Sequence, residues 1–406
     1  MPLHVPPGFE PEFRLHDVPI APRTLDAVLA AGPRLTLDIA ALNTFLRTDL
    51  FFDGATPFRE LRRITPALEI IGPRDITRDE AIDAYLDLFS AAVNRLRVEP
   101  AILGLSGGQD SRHILLALHA AGAVPALLTV DFETSNDLAI AQQLAARVGR
   151  PLRVARVTDS LADARYTMRA TRYVTTEHIW FAGVAQARDS RPWWDGIGGG
   201  VLSSGALLTE RKVALFEQGR LDELADHLTK PGPVPYFRDQ RLFPRDDAVH
   251  AVRMELERHG RAASPVGSFY FWNRTRVTIA ASAFGLLSPA GQTTLAPYLD
   301  DSVWRFLASL PARMLLPREF HADTVRRGYP AFADVPFAVK HRRIEPRLRR
   351  RGLAYLAAMA RRPTRETLAM VPRVVRGLAV PSYLGELNWI TTLWAYGDAL
   401  TARAAL

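Results

Sequence analysis

A chain of 406 residues with no cysteine has no disulfide framework, no thiolate metal site and no cysteine nucleophile, yet it is long enough to bury a large core. The formal charge of +8 invites a nucleic-acid reading, but only Lys212, Lys230 and Lys340 are lysines and the arginines are spread along the chain, so a polyphosphate ligand explains the charge at least as well. Met1-Pro2-Leu3-His4 does not open a signal peptide and no apolar run reaches membrane-spanning length, so a soluble cytoplasmic enzyme with no membrane partner is expected.

The first strongly patterned stretch is Ala101 to Ala121. The apolar run Ala101 to Leu105 predicts a strand, Ser106-Gly107-Gly108-Gln109-Asp110-Ser111 a loop, and Ile114, Leu115, Leu118 and Ala121 a helix by their three-and-four spacing. Ala126 to Val130 then predicts a second strand. Asp137 to Val148, with Leu138, Ala141, Leu144, Ala145 and Val148 on one side, predicts a helix, and Leu152 to Val157 a third strand. This alternation implies an α/β fold with a doubly wound parallel sheet, whose ligand sits at the carboxyl ends of the strands.

Further along, Trp194-Asp195-Gly196-Ile197-Gly198-Gly199-Gly200 is a second glycine-rich loop, and Pro231-Gly232-Pro233-Val234-Pro235 is the clearest break. Arg342 to Arg351 forms one dense basic cluster, which reads as a solvated helix face and leaves RNA binding as a secondary reading. Leu387 to Leu400 predicts a closing amphipathic helix. Trp193, Trp194, Trp272, Trp389 and Trp394 are expected to fill core or line a pocket.

The serine-glycine loop carries the chemistry. Two glycines let the backbone approach an anion closely, the helix start offers unpaired N–H groups and a positive dipole end, and Ser106 and Ser111 add hydroxyl donors. Asp110 would repel a phosphate unless a cation lies between them, which makes it a candidate Mg²⁺ ligand. The bland alternative is a tight strand-to-helix turn capped by Asp110. No Gly-Lys-Ser or Gly-Lys-Thr follows, so this is not a Walker A loop.

The Ser-Gly-Gly-x-Asp-Ser string resembles the pyrophosphate loop of the N-type ATP pyrophosphatases. Leu105 before it, Thr129-Val130-Asp131-Phe132 and Asp137 to Gly149 after it, Ala296-Pro297-Tyr298-Leu299-Asp300 with its following helix, and Val335-Pro336-Phe337-Ala338-Val339-Lys340 are similar to the synthetase domain of class B asparagine synthetases. That domain is shared with β-lactam synthetases and lasso-peptide cyclases, and the similarity spans about Thr77 to Trp394. Residues 1–76 look like a truncated appendage resembling the end of an amidotransferase domain and its linker, leaving 77–406 as the ATP-pyrophosphatase domain with a helical C-terminal part.

What the resemblance implies is an AMP-forming amide synthetase that adenylates a small-molecule or peptide carboxylate and transfers it to ammonia or an amine. A tailoring step in specialised metabolism, antibiotic biosynthesis included, fits best. ATP and Mg²⁺ are the expected cofactors. Leu105, Ser106, Gly107, Gly108, Asp110, Ser111, Val130, Asp195 and Gly196 are the expected ATP and pyrophosphate contacts, and Lys340 would neutralise charge on the phosphates and on the tetrahedral intermediate. A glutaminase cysteine is lacking, so nitrogen is expected from free ammonia, a substrate amine, or a nitrogen-donor or carrier partner protein.

The second loop departs from the family's Ser-Gly-x-Gly-x-Asp-Glu. Gly200 stands where the second metal aspartate is expected and Ile197 at the x position. Asp195 is a candidate substitute ligand, with substrate oxygens and water as the alternative; the rivals to the synthetase reading are a damaged, non-catalytic nucleotide binder and an RNA-modifying ATP pyrophosphatase, for which the Arg342–Arg351 cluster is the candidate RNA contact. Glu177 and His178 are candidate substrate contacts, equally readable as a helix cap or ion pair. Ser203, Ser204 and Tyr298 stay undecided, and no general base is identifiable.

Overall fold

The computed structural model describes residues 12–15, 38–48, 51–56, 58–64, 70–131, 136–156, 189–231, 240–260, 264–265, 293–316 and 318–338. Chain order begins β1 (Glu12–Leu15), α1 (Ile39–Thr48), β2 (Leu61–Ile64), α2 (Arg78–Leu96), β3 (Ile102–Gly104), α3 (Gln109–Ala120), β4 (Ala126–Asp131), α4 (Asp137–Arg147) and β5 (Leu152–Arg156). It continues with β6 (Trp193–Trp194), α5 (Gly199–Leu202), α6 (Glu210–Glu217), α7 (Leu221–Leu228), α8 (Arg245–His259), β7 (Thr294–Leu295), α9 (Asp301–Ala308), α10 (Ala312–Leu315) and α11 (Phe320–Gly328).

The three strands and two helices expected between Ala101 and Val157 form within a residue or two of their predicted limits. Their apolar runs are the reason: Ile102, Leu103, Leu127, Leu128 and Val130 are all buried, as strands covered on both faces require. The strands join β6 and β7 in a five-stranded, wholly parallel sheet of order β5-β4-β3-β6-β7. Side chains alternate across it. Leu103, Leu127 and Trp194 enter a core with Tyr85 and Phe89 of α2, Ile114 and Leu115 of α3 and Leu144 of α4. Ile102, Leu128, Val130, Ala155 and Trp193 form a second cluster.

The helix α2 is opened by a reciprocal cap. Thr77 N–H donates to Glu80 Oε2 at 3.0 Å while Thr77 Oγ1 accepts from the Glu80 N–H, so two otherwise orphaned donors are satisfied. The antiparallel pair β1–β2 and helix α1 precede α2, and α1 lies against α8. Buried Arg47 of α1 donates to the carbonyls of Lys230, Pro231 and Phe243, tying this early helix to residues far along the chain. No helix among the described residues is long and apolar enough to cross a membrane. Trp193 and Trp194 do fill core; Trp272, Trp389, Trp394, the Arg342–Arg351 cluster and the Leu387–Leu400 helix lie outside the described residues.

Strand order sets the location of the site. From β3 the chain steps outward through β4 to β5, then returns to the other side of β3 as β6. The loops leaving the neighbouring strands β3 and β6 therefore lie side by side at the carboxyl edge of the sheet, where a strand order of this kind places a ligand.

Candidate functional site

The loop leaving β3 is Leu105–Gly108, and the first turn of α3 adds Gln109, Asp110 and Ser111. Ser106 N–H donates to Ser111 Oγ at 2.9 Å, the two hydroxyl oxygens lie 3.0 Å apart, and Gly108 N–H donates to Ser106 Oγ at 3.2 Å. Gly107 N–H donates to Asp137 Oδ1 at 3.0 Å, at the first turn of α4. The loop is thus a ring of converging N–H and hydroxyl groups, each held by a side-chain acceptor that an oxyanion can replace. Leu105 and Val130 flank it at the strand ends, both buried, one in each core cluster.

The loop leaving β6 meets this ring at Asp110. A Cβ on Gly199 would fall 2.6 Å from Asp110 Cγ and Oδ1, and one on Gly196 would fall 2.7 Å from Asp110 Cβ. Glycine at 196 and 199 is the condition for that approach. A Cβ on Gly200, by contrast, would sit 3.6 Å from Asp110 Oδ2, an ordinary contact. Ile197 is buried in the main core. Asp195 is buried as well; its Oδ2 accepts from Trp193 Nε1 at 3.0 Å and its N–H donates to Leu295 O.

Behind Asp110 stands a polar cluster that sequence motifs do not foreshadow. Asp110 Oδ1 is buried without an aligned hydrogen bond, and His321 Nδ1, from α11, lies 3.2 Å away. His321 is fully buried: its Nδ1 is 2.8 Å from Ser203 Oγ, and its Nε2 is 3.2 Å from His113 Nδ1 and 3.3 Å from Tyr298 Oη. Tyr298 donates to the Asp110 carbonyl at 3.1 Å, and His113 stacks on Phe89. Burial, with His321 beside it, holds His113 well below the ordinary imidazole range, and burial pushes the Tyr298 phenol far up. Ser203, His321 and Asp110 do not form a hydrolase triad. Serine and aspartate approach the same ring nitrogen, whereas a catalytic base takes its nucleophile and its orienting carboxylate on opposite nitrogens. The available signal was a histidine on the apolar face of α11, between Phe320 and Val325.

A third segment closes over the ring. Ala338 N–H donates to Gly107 O at 2.9 Å. Arg112, buried in α3, donates to Val335 O at 2.7 Å, Pro336 O at 2.6 Å and Gly107 O at 3.3 Å, with its guanidinium 4.2 Å from the Phe337 ring centroid. Burial, reinforced by Arg326, lowers the Arg112 pKa to about 10, so it stays a cation at neutral pH. The Val335–Ala338 segment is therefore fastened to the serine-glycine loop. Lys340, two positions further on, lies outside the described residues, as do Glu177 and His178.

Among the described residues no three His, Cys, Asp or Glu side chains converge as a metal cage. Asp110 still suits a hard cation that arrives with a polyphosphate, because Mg²⁺ commonly takes one or two carboxylates and completes its shell with phosphate oxygens and water. The room beside Oδ2 at Gly200 is compatible with that arrangement. No protein-family model matches this chain, and comparison with curated proteins finds no match either.

Proposed function

We propose that the chain is an ATP-dependent amide synthetase of the adenine nucleotide α-hydrolase-like type that forms AMP and pyrophosphate. The observation that carries this reading is the meeting of three segments at the switch point: the Ser106–Ser111 ring, the Gly196–Gly200 loop against Asp110, and Val335–Ala338 fastened over Gly107. Ser106, Gly107, Gly108 and Ser111 would hold the β- and γ-phosphates. Leu105, Val130 and Gly196 would border the nucleotide. Asp110 would bind the magnesium ion, with Asp195 a second ligand if it shares the oxygen now held by Trp193.

In the first half-reaction one oxygen of the substrate carboxylate bonds to the α-phosphorus while the bond from that phosphorus to the bridging oxygen breaks. Pyrophosphate leaves into the ring of N–H and hydroxyl donors. The nitrogen of ammonia or an amine then attacks the acyl carbon, loses a proton, and AMP departs. A magnesium ion bound with the nucleotide would offset the phosphate charge, and Lys340 would do so from the closing segment. Because AMP is a better leaving group than oxide, adenylation makes a carboxylate reactive at neutral pH. A small-molecule or peptide acid in specialised metabolism, with a possible nitrogen-donor or carrier partner, is the proposed context.

Buried Ile197 and the bare Gly200 favour one rival, a non-catalytic nucleotide-binding partner. A carboxylate-dependent ATP–pyrophosphate exchange screen decides between them. Exchange, with AMP and pyrophosphate released in equal amounts, is the expected result. Nucleotide binding without exchange across a broad acid panel supports the rival, and release of ADP with orthophosphate overturns the proposal.

A further inference from the structure

The hydrogen inventory around His321 assigns its donor. Ser203 donates its hydroxyl hydrogen to Gly199 O at 2.8 Å, so Ser203 Oγ meets His321 Nδ1 as an acceptor and Nδ1 carries the hydrogen. Tyr298 likewise spends its hydrogen on Asp110 O, which leaves His113 Nδ1–H to donate to His321 Nε2. The resulting chain runs from His113 through His321 to a single N–H that faces Ser203 Oγ at 2.8 Å, the orphaned Asp110 Oδ1 at 3.2 Å and, at 3.4 Å, Ser204 Oγ, whose own hydrogen goes to Gln109 Oε1.

We infer that His321 is the positioning residue of Asp110: its Nδ1–H turns Oδ1 into the protein and leaves Oδ2 as the one oxygen presented beside Gly200, so that a divalent cation binds only together with a polyphosphate. The inference rests on the nucleotide-site reading and adds what that reading lacks, an account of which carboxylate oxygen is offered and of how metal and phosphate depend on each other. The two oxygens are differently placed. Oδ1 is buried between Gly199 and His321, and Oδ2 has an ordinary contact's width of open space at Gly200. One monodentate carboxylate supplies too few ligands to dehydrate Mg²⁺ by itself, whereas pyrophosphate held on the Ser106–Ser111 ring supplies the missing oxygens. Loss of an outer-shell partner that orients a metal-ligating side chain typically changes metal affinity 10–100-fold.

Isothermal calorimetry on the full chain tests this with Mg²⁺ alone, pyrophosphate alone in EDTA, and pyrophosphate in excess Mg²⁺. Wild type should show no heat with Mg²⁺ alone, weak pyrophosphate binding in EDTA, and binding at least about tenfold tighter with Mg²⁺. His321→Asn keeps a donor close to the Nδ1 position, and His321→Gln places its polar atoms close to the Nε2 position instead. Both lose the imidazole and fill similar space, so a structural role predicts similar damage. The positioning role predicts that Asn keeps most of the Mg²⁺ enhancement and that Gln reduces it to about threefold or less, with unchanged binding in EDTA. Equal enhancement in the two variants, or equal loss, overturns the inference. Asp110→Asn separates it from the reading beneath it. Loss of enhancement there, with full enhancement in His321→Gln, removes only the positioning role; full enhancement in Asp110→Asn, or no pyrophosphate binding by wild type, removes the nucleotide-site reading itself.

Discussion

Ala338 and Gly107 are joined backbone to backbone, the N–H of one donating to the carbonyl of the other at 2.9 Å, although four of the sheet's five strands and most of the described helices lie between them in sequence. Arg112 secures the same junction from inside, binding Val335 O, Pro336 O and Gly107 O with one guanidinium. The Val335–Ala338 segment and the serine-glycine loop therefore share one hydrogen-bonded junction.

Arg112→Met should remove those donors and leave buried carbonyls unpaired, at a cost of about 2–4 kcal/mol. Arg112→Lys retains the charge but not the planar fork, and should recover only part of the loss. Urea titrations of the three proteins measure the effect. A stability change under about 0.5 kcal/mol in the methionine variant would show that the junction holds without the arginine.

Asp110→Asn and Ser111→Ala should each lower exchange by about 10²-fold or more, because preorganised donors and the metal act on charge that develops in the transition state. Ser111→Ala also takes away the acceptor of the Ser106 N–H, so the loop loses an internal tie along with a phosphate donor. Far-UV circular dichroism should stay native-like in both. Wild-type exchange in a folded Asp110→Asn protein contradicts the assignment of Asp110.

Adjacent glycines should respond in opposite ways. Gly199→Ala drives a methyl group to 2.6 Å from the Asp110 carboxylate, which the loop must relieve by shifting. Lower thermal stability and loss of exchange are expected. At Gly200 a Cβ has 3.6 Å, so Gly200→Ala should be tolerated, and Gly200→Asp places a second carboxylate beside Oδ2. It should lower the Mg²⁺ concentration needed for half-maximal pyrophosphate release by about threefold or more. A raised Mg²⁺ requirement in Gly200→Asp would mean that the cation does not sit on that side of Asp110.

His113 gives the fold a pH dependence of known sign. Burial holds its folded pKa well below the ordinary 6.5, so below about pH 6.5 the unfolded chain takes up a proton that the folded protein refuses. The contribution to stability is complete above that pH and is lost as pH falls, by up to about 1.4 kcal/mol per pH unit. Denaturation midpoints between pH 7.5 and 5 should fall for wild type and fall less steeply for His113→Gln. Parallel slopes would show that His113 is not the group responsible.

The serine-glycine loop and the three strands and two helices around it were legible in the amino-acid sequence because each depends on residues within a few positions of one another. Leu127, Leu128 and Val130 make a buried strand by composition, Leu144 and Ala145 give the following helix its apolar side, and Ser106 to Ser111 fit a turn from strand to helix. The mixed α/β class with its parallel sheet followed from their alternation. Partnerships across the fold were not legible. Asp195 was a candidate for the space left by Gly200; that strand alternation sets it on the same side as Trp193, two residues earlier, where its Oδ2 accepts from the indole, was not visible in the sequence. His321 and Arg112 carried only the mark of polar groups on otherwise apolar helix faces. Their roles arise because the order β5-β4-β3-β6-β7 brings the Gly196–Gly200 loop onto Asp110 and because α11 packs against α2 and α3. Local hydrogen bonding and hydrophobic period are written in short stretches of chain; which buried acceptor meets which buried donor is decided only when distant elements share a core and each polar group must find its partner there.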